Sequence, residues 1–265
     1  PPATGIVIQQ AGPRMLSRER SESEFRATSM GVAATDDEFD ALLPPAERRA
    51  SARYWTPVAV ARRVAQLSEE LGARRILDVG AGPGKFCVVG AACAPSLEFV
   101  GVEQRPHLIA IAERLAVNIG TGNATFRLGD ATHVPWSGFD ALYVFNSFAE
   151  NVFSTVDRFD NTVELSRVRY VADVLLVARK LAELPPGTVL LTYHGLGGPI
   201  PHGYKHLLVE PAGTGWLHVW RQEGGASEMF WLEDDADVRN VTTFELRRLL
   251  RSVAHGGSRR TVARH

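Results

Sequence analysis

The sequence has 265 residues, enough for one large domain or one domain with an added segment. Its formal net charge of -1 and the lack of any long basic block exclude a polycationic nucleic-acid scaffold. Hydrophobic residues at 45% and charged residues at 22% are ordinary for a globular chain, which excludes a disordered or fibrous class.

No apolar run approaches the roughly 18 residues that a membrane span needs, and no signal-peptide core opens the sequence. A soluble, cytoplasmic protein without membrane partners is therefore expected. Cys87 and Cys93 are the only cysteines and read as buried free thiols of a reducing compartment.

Residues 1–54 are expected to form an N-terminal extension, partly disordered and carrying short helices. One helix is predicted over Asp36–Leu43, ended by Pro44 and Pro45, and a further turn or helix over Ala46–Arg53. Thr56 reads as a helix N-cap and Pro57 as the first helical residue. The helix behind them carries an apolar stripe of Val58, Val60, Ala61, Val64, Leu67 and Leu71, and Gly72 closes it.

Ile76, Leu77 and Val79 then predict a short buried strand, followed by a turn crowded with Gly80, Gly82 and Gly84 and an apolar helix. Strand, glycine turn and helix in that order let backbone approach a ligand closely, under the positive end of a helix. Further strands are predicted at Glu98–Glu103, Ala124–Leu128, Phe139–Phe145 and Thr188–Tyr193. Helices are predicted after Pro106 and over roughly 161–183. The stretch from His194 to about Gly203 reads as a loop, and Lys205–Val209 as the remnant of a helix or part of that loop. Trp216–Arg221 and Ser227–Leu232 read as a hairpin joined through Glu223-Gly224-Gly225. A short helix at Thr243–Val253 and a loose tail over 256–265 complete the reading, with the main domain spanning 55–255.

Strands and helices alternate from about 55 to 193 and end in a hairpin. The expected fold is α/β: a three-layer, Rossmann-like sandwich around a seven-stranded, mostly parallel sheet with an antiparallel terminal hairpin.

The glycine spacing differs from the G-x-G-x-x-G of a dinucleotide site. Asp78 stands two residues before the first glycine, where a carboxylate would crowd a pyrophosphate but can receive an ammonium group or hold the loop. Glu103 ends the second strand, and a carboxylate there offers acceptors to two ribose hydroxyls. Asp130 follows the third strand and can accept from an exocyclic amine.

The set Asp78, Gly80, Gly82, Gly84, Glu103 and Asp130 resembles the class I S-adenosylmethionine-dependent methyltransferases. The resemblance covers about 55–235 and implies S-adenosylmethionine as cofactor. It also implies methyl transfer to a small-molecule or protein acceptor, with nucleic acid disfavoured by the near-neutral charge. Asn146, Phe148 and Glu150 follow the fourth strand and are candidates for orienting the acceptor, Asn146 also for the cofactor's amino-acid portion. Asn146-Ser147-Phe148 looks in part like the Asn/Asp-Pro-Pro-aromatic motif of amino methyltransferases, which leans the acceptor toward nitrogen. Tyr193 and His194 end the fifth strand on the same rim and are candidates for touching the acceptor. Tyr54, Trp55 and Tyr204 are candidate walls of the acceptor pocket, with the loop 194–206 as a cover. No tight Cys/His set exists, so no metal is expected. Two other readings stay open: an NAD-type oxidoreductase and a non-catalytic binding module of the same fold.

Overall fold

The computed structural model describes residues 33–224 and 229–230. Three helices lead in: α1 (Asp36–Asp40), α2 (Pro45–Tyr54) and α3 (Val58–Glu70). Strand β1 (Arg75–Val79) and helix α4 (Lys85–Cys93) flank the glycine turn. Then follow β2 (Glu98–Glu103), α5 (Pro106–Ile119), β3 (Ala124–Leu128) and β4 (Ala141–Phe145). Two single 3-10 turns, at Ala149–Val152 and Thr155–Asp157, precede α6 (Arg167–Ala182) and β5 (Val189–Tyr193). The described chain closes with β6 (Ile200–Pro201), β7 (Tyr204–Ala212), β8 (Gly215–Gln222) and β9 (Met229–Phe230).

Seven strands form one sheet in the order β3-β2-β1-β4-β5-β8-β7. The first five are parallel, and β8 runs antiparallel between β5 and β7. Alternation along the central strands divides the core in two. Ile76, Tyr143 and Leu191 join the layer that holds α3, α4 and α5. Leu77, Val79, Val144 and Leu190 join the layer under α6. Central strands covered on both faces read as continuous apolar runs, and that is why β1, β4 and β5 are visible in the sequence. Phe39 and Leu43, ahead of the α/β alternation, are buried in the first layer.

Several expectations are corrected. The terminal hairpin exists, but β8 pairs backward with β7 rather than forward with 227–232. The turn between them is Gly213-Thr214, with Gly213 at φ +55°. Strand β7 replaces the expected loop or helix remnant. It is the sheet edge, so Lys205, Glu210 and Pro211 can occupy a strand without breaking an inner ladder. Of the segment expected to be the hairpin's second strand, Met229 and Phe230 pair with Pro201 and Ile200 in a separate two-stranded sheet.

Thr56 does not cap α3. Its hydroxyl lies 3.0 Å from the Tyr143 hydroxyl, and the Val58 N–H donates to Asp36 Oδ1 at 2.9 Å instead. The long helix begins at Arg167, six residues later than expected, because Ser166 Oγ caps it by accepting from the Arg169 N–H. Gly72 and Gly120 do take left-handed conformations at their helix ends. Both cysteines are buried free thiols. The expected helix at 243–253, the tail 256–265 and most of the N-terminal extension lie outside the described residues. Among the described residues no helix is long and apolar enough to cross a membrane, and no group of three His, Cys, Asp or Glu could hold a metal.

Candidate active site

The carboxyl ends of β1, β2 and β4, with the turn after β3, open into one cavity. In an open α/β sheet this rim is where ligands bind. Gly80 and Gly82 form its floor, Glu103 and Asp130 one side, and Asn146 to Glu150 the other. Tyr54 and Trp55 descend over it from the end of α2.

The floor needs glycine for two reasons. Gly82 has φ +55°, and a Cβ there would lie 2.7 Å from the Trp55 ring. Gly84 has φ +79°, and a Cβ there would lie 2.7 Å from both Ala112 and Phe126. Bare backbone at Gly82 is thus sandwiched against an indole. Trp55 is fixed in turn by its Nε1–H, which donates to the Glu47 carbonyl at 2.8 Å.

Glu103 is buried and accepts the Gly82 N–H at 3.1 Å on Oε2. Its Oε1 accepts from the N–H groups of Gln104 and Arg105. These bonds fix the carboxylate at the rim, and Oε2, with a single donor, keeps a further lone pair for a ligand hydroxyl. Asp130 Oδ1 accepts from the backbone and hydroxyl of Thr132, and Oδ2 receives Arg169 Nη2 at 2.8 Å. Arg169 also reaches Gln104 and Asp173, so α6 braces the ends of β2 and β3 together.

On the opposite wall Asn146 is one of two non-glycine residues described with positive φ, at +45°. Its carbonyl accepts the Ala149 N–H, and the Ser147 hydroxyl donates to the Val79 carbonyl. The turn therefore lies against the glycine floor: a Cβ on Gly80 would meet Ser147 Cβ at 3.0 Å. Strained non-glycine backbone of this kind concentrates at functional sites. Glu150 has both oxygens engaged, Oε2 by Arg105 Nη2 at 2.9 Å and Oε1 by the Phe159 N–H at 2.7 Å. Burial works against the Arg105 charge, but Asp160, Glu150 and Glu103 together hold its pKa above the ordinary value.

Other candidate residues stand elsewhere. Asp78 does not line the cavity; its strand register puts it beside Tyr143, and its carboxylate meets Cys87 Sγ at 3.5 Å under α4. Burial, with the nearby charge of Glu103, pushes its pKa up to about 7. Tyr193 is buried behind Phe145, with ring centroids 4.9 Å apart, and His194, at φ +56°, packs on both. Tyr204 is buried on the α6 face, where its hydroxyl donates to the Leu181 carbonyl at 3.1 Å. The segment 194–206 contains strand β6 and the start of β7 and does not line the cavity.

The sequence reading missed Arg53, Gln104, Arg105, Phe145 and Phe153, which line the cavity, and Arg169 behind Asp130. Arg105 carried one signal, its position just past a strand-end acid. Phe153 and Arg169 carried none, because their partners are distant in the chain.

Residues 72–183 match a family model described as a methyltransferase domain. A demethylmenaquinone methyltransferase of Thermus thermophilus is 34% identical over 94 residues. That alignment covers 34% of this chain and 42% of the relative, so the chain spans well under half the length of the curated relative it matches. Among solved structures, an RNA methyltransferase from Salinibacter ruber in complex with S-adenosyl-L-homocysteine aligns with TM-score 0.48 and 18% identity, over 65% of this chain and 96% of that one. A methyltransferase from Geobacter sulfurreducens aligns with TM-score 0.46 and 16% identity, over 76% and 98%. With the sheet order and the glycine turn on the same segment, the chain has a Rossmann-like α/β methyltransferase fold, and its residues 72–183 are similar to a methyltransferase domain.

Proposed function

We propose that the chain transfers the methyl group of S-adenosylmethionine to an acceptor held at the aromatic end of the cavity. The observation that carries this reading is the continuity of one cavity from Gly80, Gly82, Glu103 and Asp130 to Asn146, Phe148 and Tyr54. The donor set suits the cofactor: bare backbone at Gly82, a buried carboxylate for ribose hydroxyls at Glu103, and an acid at Asp130 for an amine. When bound, the cofactor supplies an electrophilic methyl on a sulfonium. The protein's part is to orient acceptor against donor and to exclude water, which can supply much of the rate. The rings of Trp55, Phe148 and Tyr54 suit the second task, and the Asn146 turn suits the first.

Asp78 acts in this reading through the loop, as a buried support for the strand end, because its carboxylate lies under α4. The sheet also speaks against an NAD-type oxidoreductase. The dinucleotide fold is built from two parallel βαβαβ halves, whereas β8 here runs antiparallel between β5 and β7 in the second half of the sheet. A small-molecule acceptor fits a ring-lined cavity better than a protein segment does. The lean toward nitrogen rests on the partial Asn146-Ser147-Phe148 motif alone, since Glu150 is already engaged by Arg105.

Calorimetric titration with S-adenosylhomocysteine and, separately, NAD tests the cofactor. Saturable binding of the former alone supports the reading, and preferential NAD binding sinks it. Cofactor binding with no methylated product over a broad acceptor panel would instead favour a non-catalytic module.

A further inference from the structure

The acid after the third strand is held by a residue 39 positions away in the chain. Ser166 Oγ accepts the Arg169 N–H and so fixes where α6 begins. The Arg169 guanidinium is then anchored on two sides: Nη1 donates to the Glu164 carbonyl at 2.9 Å, and Nε to Asp173 Oδ2 at 3.4 Å. That leaves Nη2, which donates to Gln104 Oε1 at 2.6 Å and to Asp130 Oδ2 at 2.8 Å. Gln104 and Asp130 line the cavity, whereas Arg169 stands behind them.

The bridge decides what each of the two side chains offers a ligand. A guanidinium only donates, so the Gln104 amide turns its oxygen to Arg169 and keeps its NH2 for the cavity. Asp130 Oδ1 is already taken by the N–H and the hydroxyl of Thr132. Oδ2 has one hydrogen-bond donor, Arg169, since His133 Nδ1 stands off at 3.6 Å, and it keeps a further lone pair. One nitrogen thus sets an acceptor and a donor together on the rim. The pair is complementary to a heterocycle edge that carries an amine beside a bare ring nitrogen. It is mismatched to an edge with a carbonyl beside a ring N–H, because both contacts reverse.

Resting on the methyl-transfer reading above, we infer that Arg169 is a specificity-determining positioning residue. Through Asp130 and Gln104 it makes the site read the cofactor's base as an aminopurine, without itself touching the cofactor. Removing it frees both side chains to rotate, so that Gln104 can turn either its oxygen or its NH2 to the ligand. The site then still takes a purine but no longer tells an amine from a carbonyl.

The test compares S-adenosylhomocysteine with S-inosylhomocysteine, which carries a carbonyl and a ring N–H in place of the amine and the bare ring nitrogen. Both are titrated by calorimetry into the full chain. The wild type should bind the adenosyl compound tighter by roughly tenfold or more, on the order of one hydrogen bond to a charged group. In Arg169→Met the two affinities should come within about threefold of each other. Arg169→Lys keeps a cation beside Asp130 and Gln104 but loses the planar anchoring, and should lie between. An arginine that merely braces the fold would weaken both ligands together and leave their ratio unchanged; that result overturns the assignment. So does a wild type that binds the two equally or prefers the inosyl compound. Should Arg169→Met lose its cooperative melt, Gln104→Leu, at an exposed side chain, carries the test. Its ratio should fall about threefold below wild type, and an unchanged ratio overturns the assignment. All of these overturning results leave the cofactor reading standing. If S-adenosylhomocysteine does not bind the wild type, the cofactor reading falls, and this assignment with it.

Discussion

The indole of Trp55 rests on the backbone of Gly82, so closely that a single added methyl at Gly82 would come within 2.7 Å of the ring. The contact joins the end of α2 to the glycine turn and closes the cavity from above. Gly82→Ala should thus be penalised twice, by left-handed backbone at φ +55° and by the indole. The backbone part alone is worth about 1–2 kcal/mol. Urea unfolding of Gly82→Ala and of Gly82→Ala with Trp55→Leu separates the two. The double variant should recover part of the loss; simple additivity would refute the steric part.

Glu103 holds the turn and faces the rim at once. Glu103→Ala should weaken S-adenosylhomocysteine affinity by roughly tenfold or more, on the order of one strong hydrogen-bonded contact. Calorimetry reads this directly, and an unchanged affinity would remove the ribose assignment. The Gly82 N–H also loses its acceptor, so a modest fall in thermal stability should accompany it.

Lys85 is buried, and its ammonium sits 2.7 Å from both Asp36 and Asp40 and 3.1 Å from Ser51 Oγ. The two acids are not equally buried: Asp36 is half-exposed and Asp40 less so. Removing the lysine leaves carboxylates that water can reach. Removing both acids strands a buried ammonium, the costlier fault at about 3–5 kcal/mol. Chemical denaturation should rank Asp36→Asn with Asp40→Asn below Lys85→Met in stability. The reverse order would show that the ammonium finds water or another partner.

Asp78 sets a pH dependence. Burial, with the charge of Glu103, raises its folded pKa from the ordinary 3.8 to about 7. Between those values the folded chain keeps a proton that the unfolded chain has released. Stability should therefore fall as pH rises from about 4 through 7, with the loss complete above the folded pKa. Asp78→Asn removes the titration and should flatten this part of the curve of melting temperature against pH. A decline of the same size in the variant would assign it to other groups.

How much was legible follows from where each signal resides. The glycine turn was readable because its constraint is local: Gly80, Gly82 and Gly84 all take positive φ within five residues. The central strands were readable because both faces are buried. Strand β7 was not, since an edge strand has no need of apolar residues on both faces and its composition resembles a loop. Thr56 looked like a cap by its neighbours, yet a tyrosine 87 positions away took its hydroxyl. The strand-end acids were visible as residues. Their partners Arg105 and Arg169 became meaningful only when the fold brought distant segments together.

The placement of β8 has a consequence for how this chain is made. A ribosome releases β5 before β7, and β7 before β8, yet β8 is the strand that joins the other two. Until residue 222 has emerged, the outer ladder of β5 has no partner and β7 has no sheet to join. Buried apolar residues of β5, such as Leu191 and Tyr193, would stay open to wrong partners over that interval. Synthesis paused between residues 193 and 215 should thus give nascent chains that engage holding chaperones, and release past residue 222 should end that engagement.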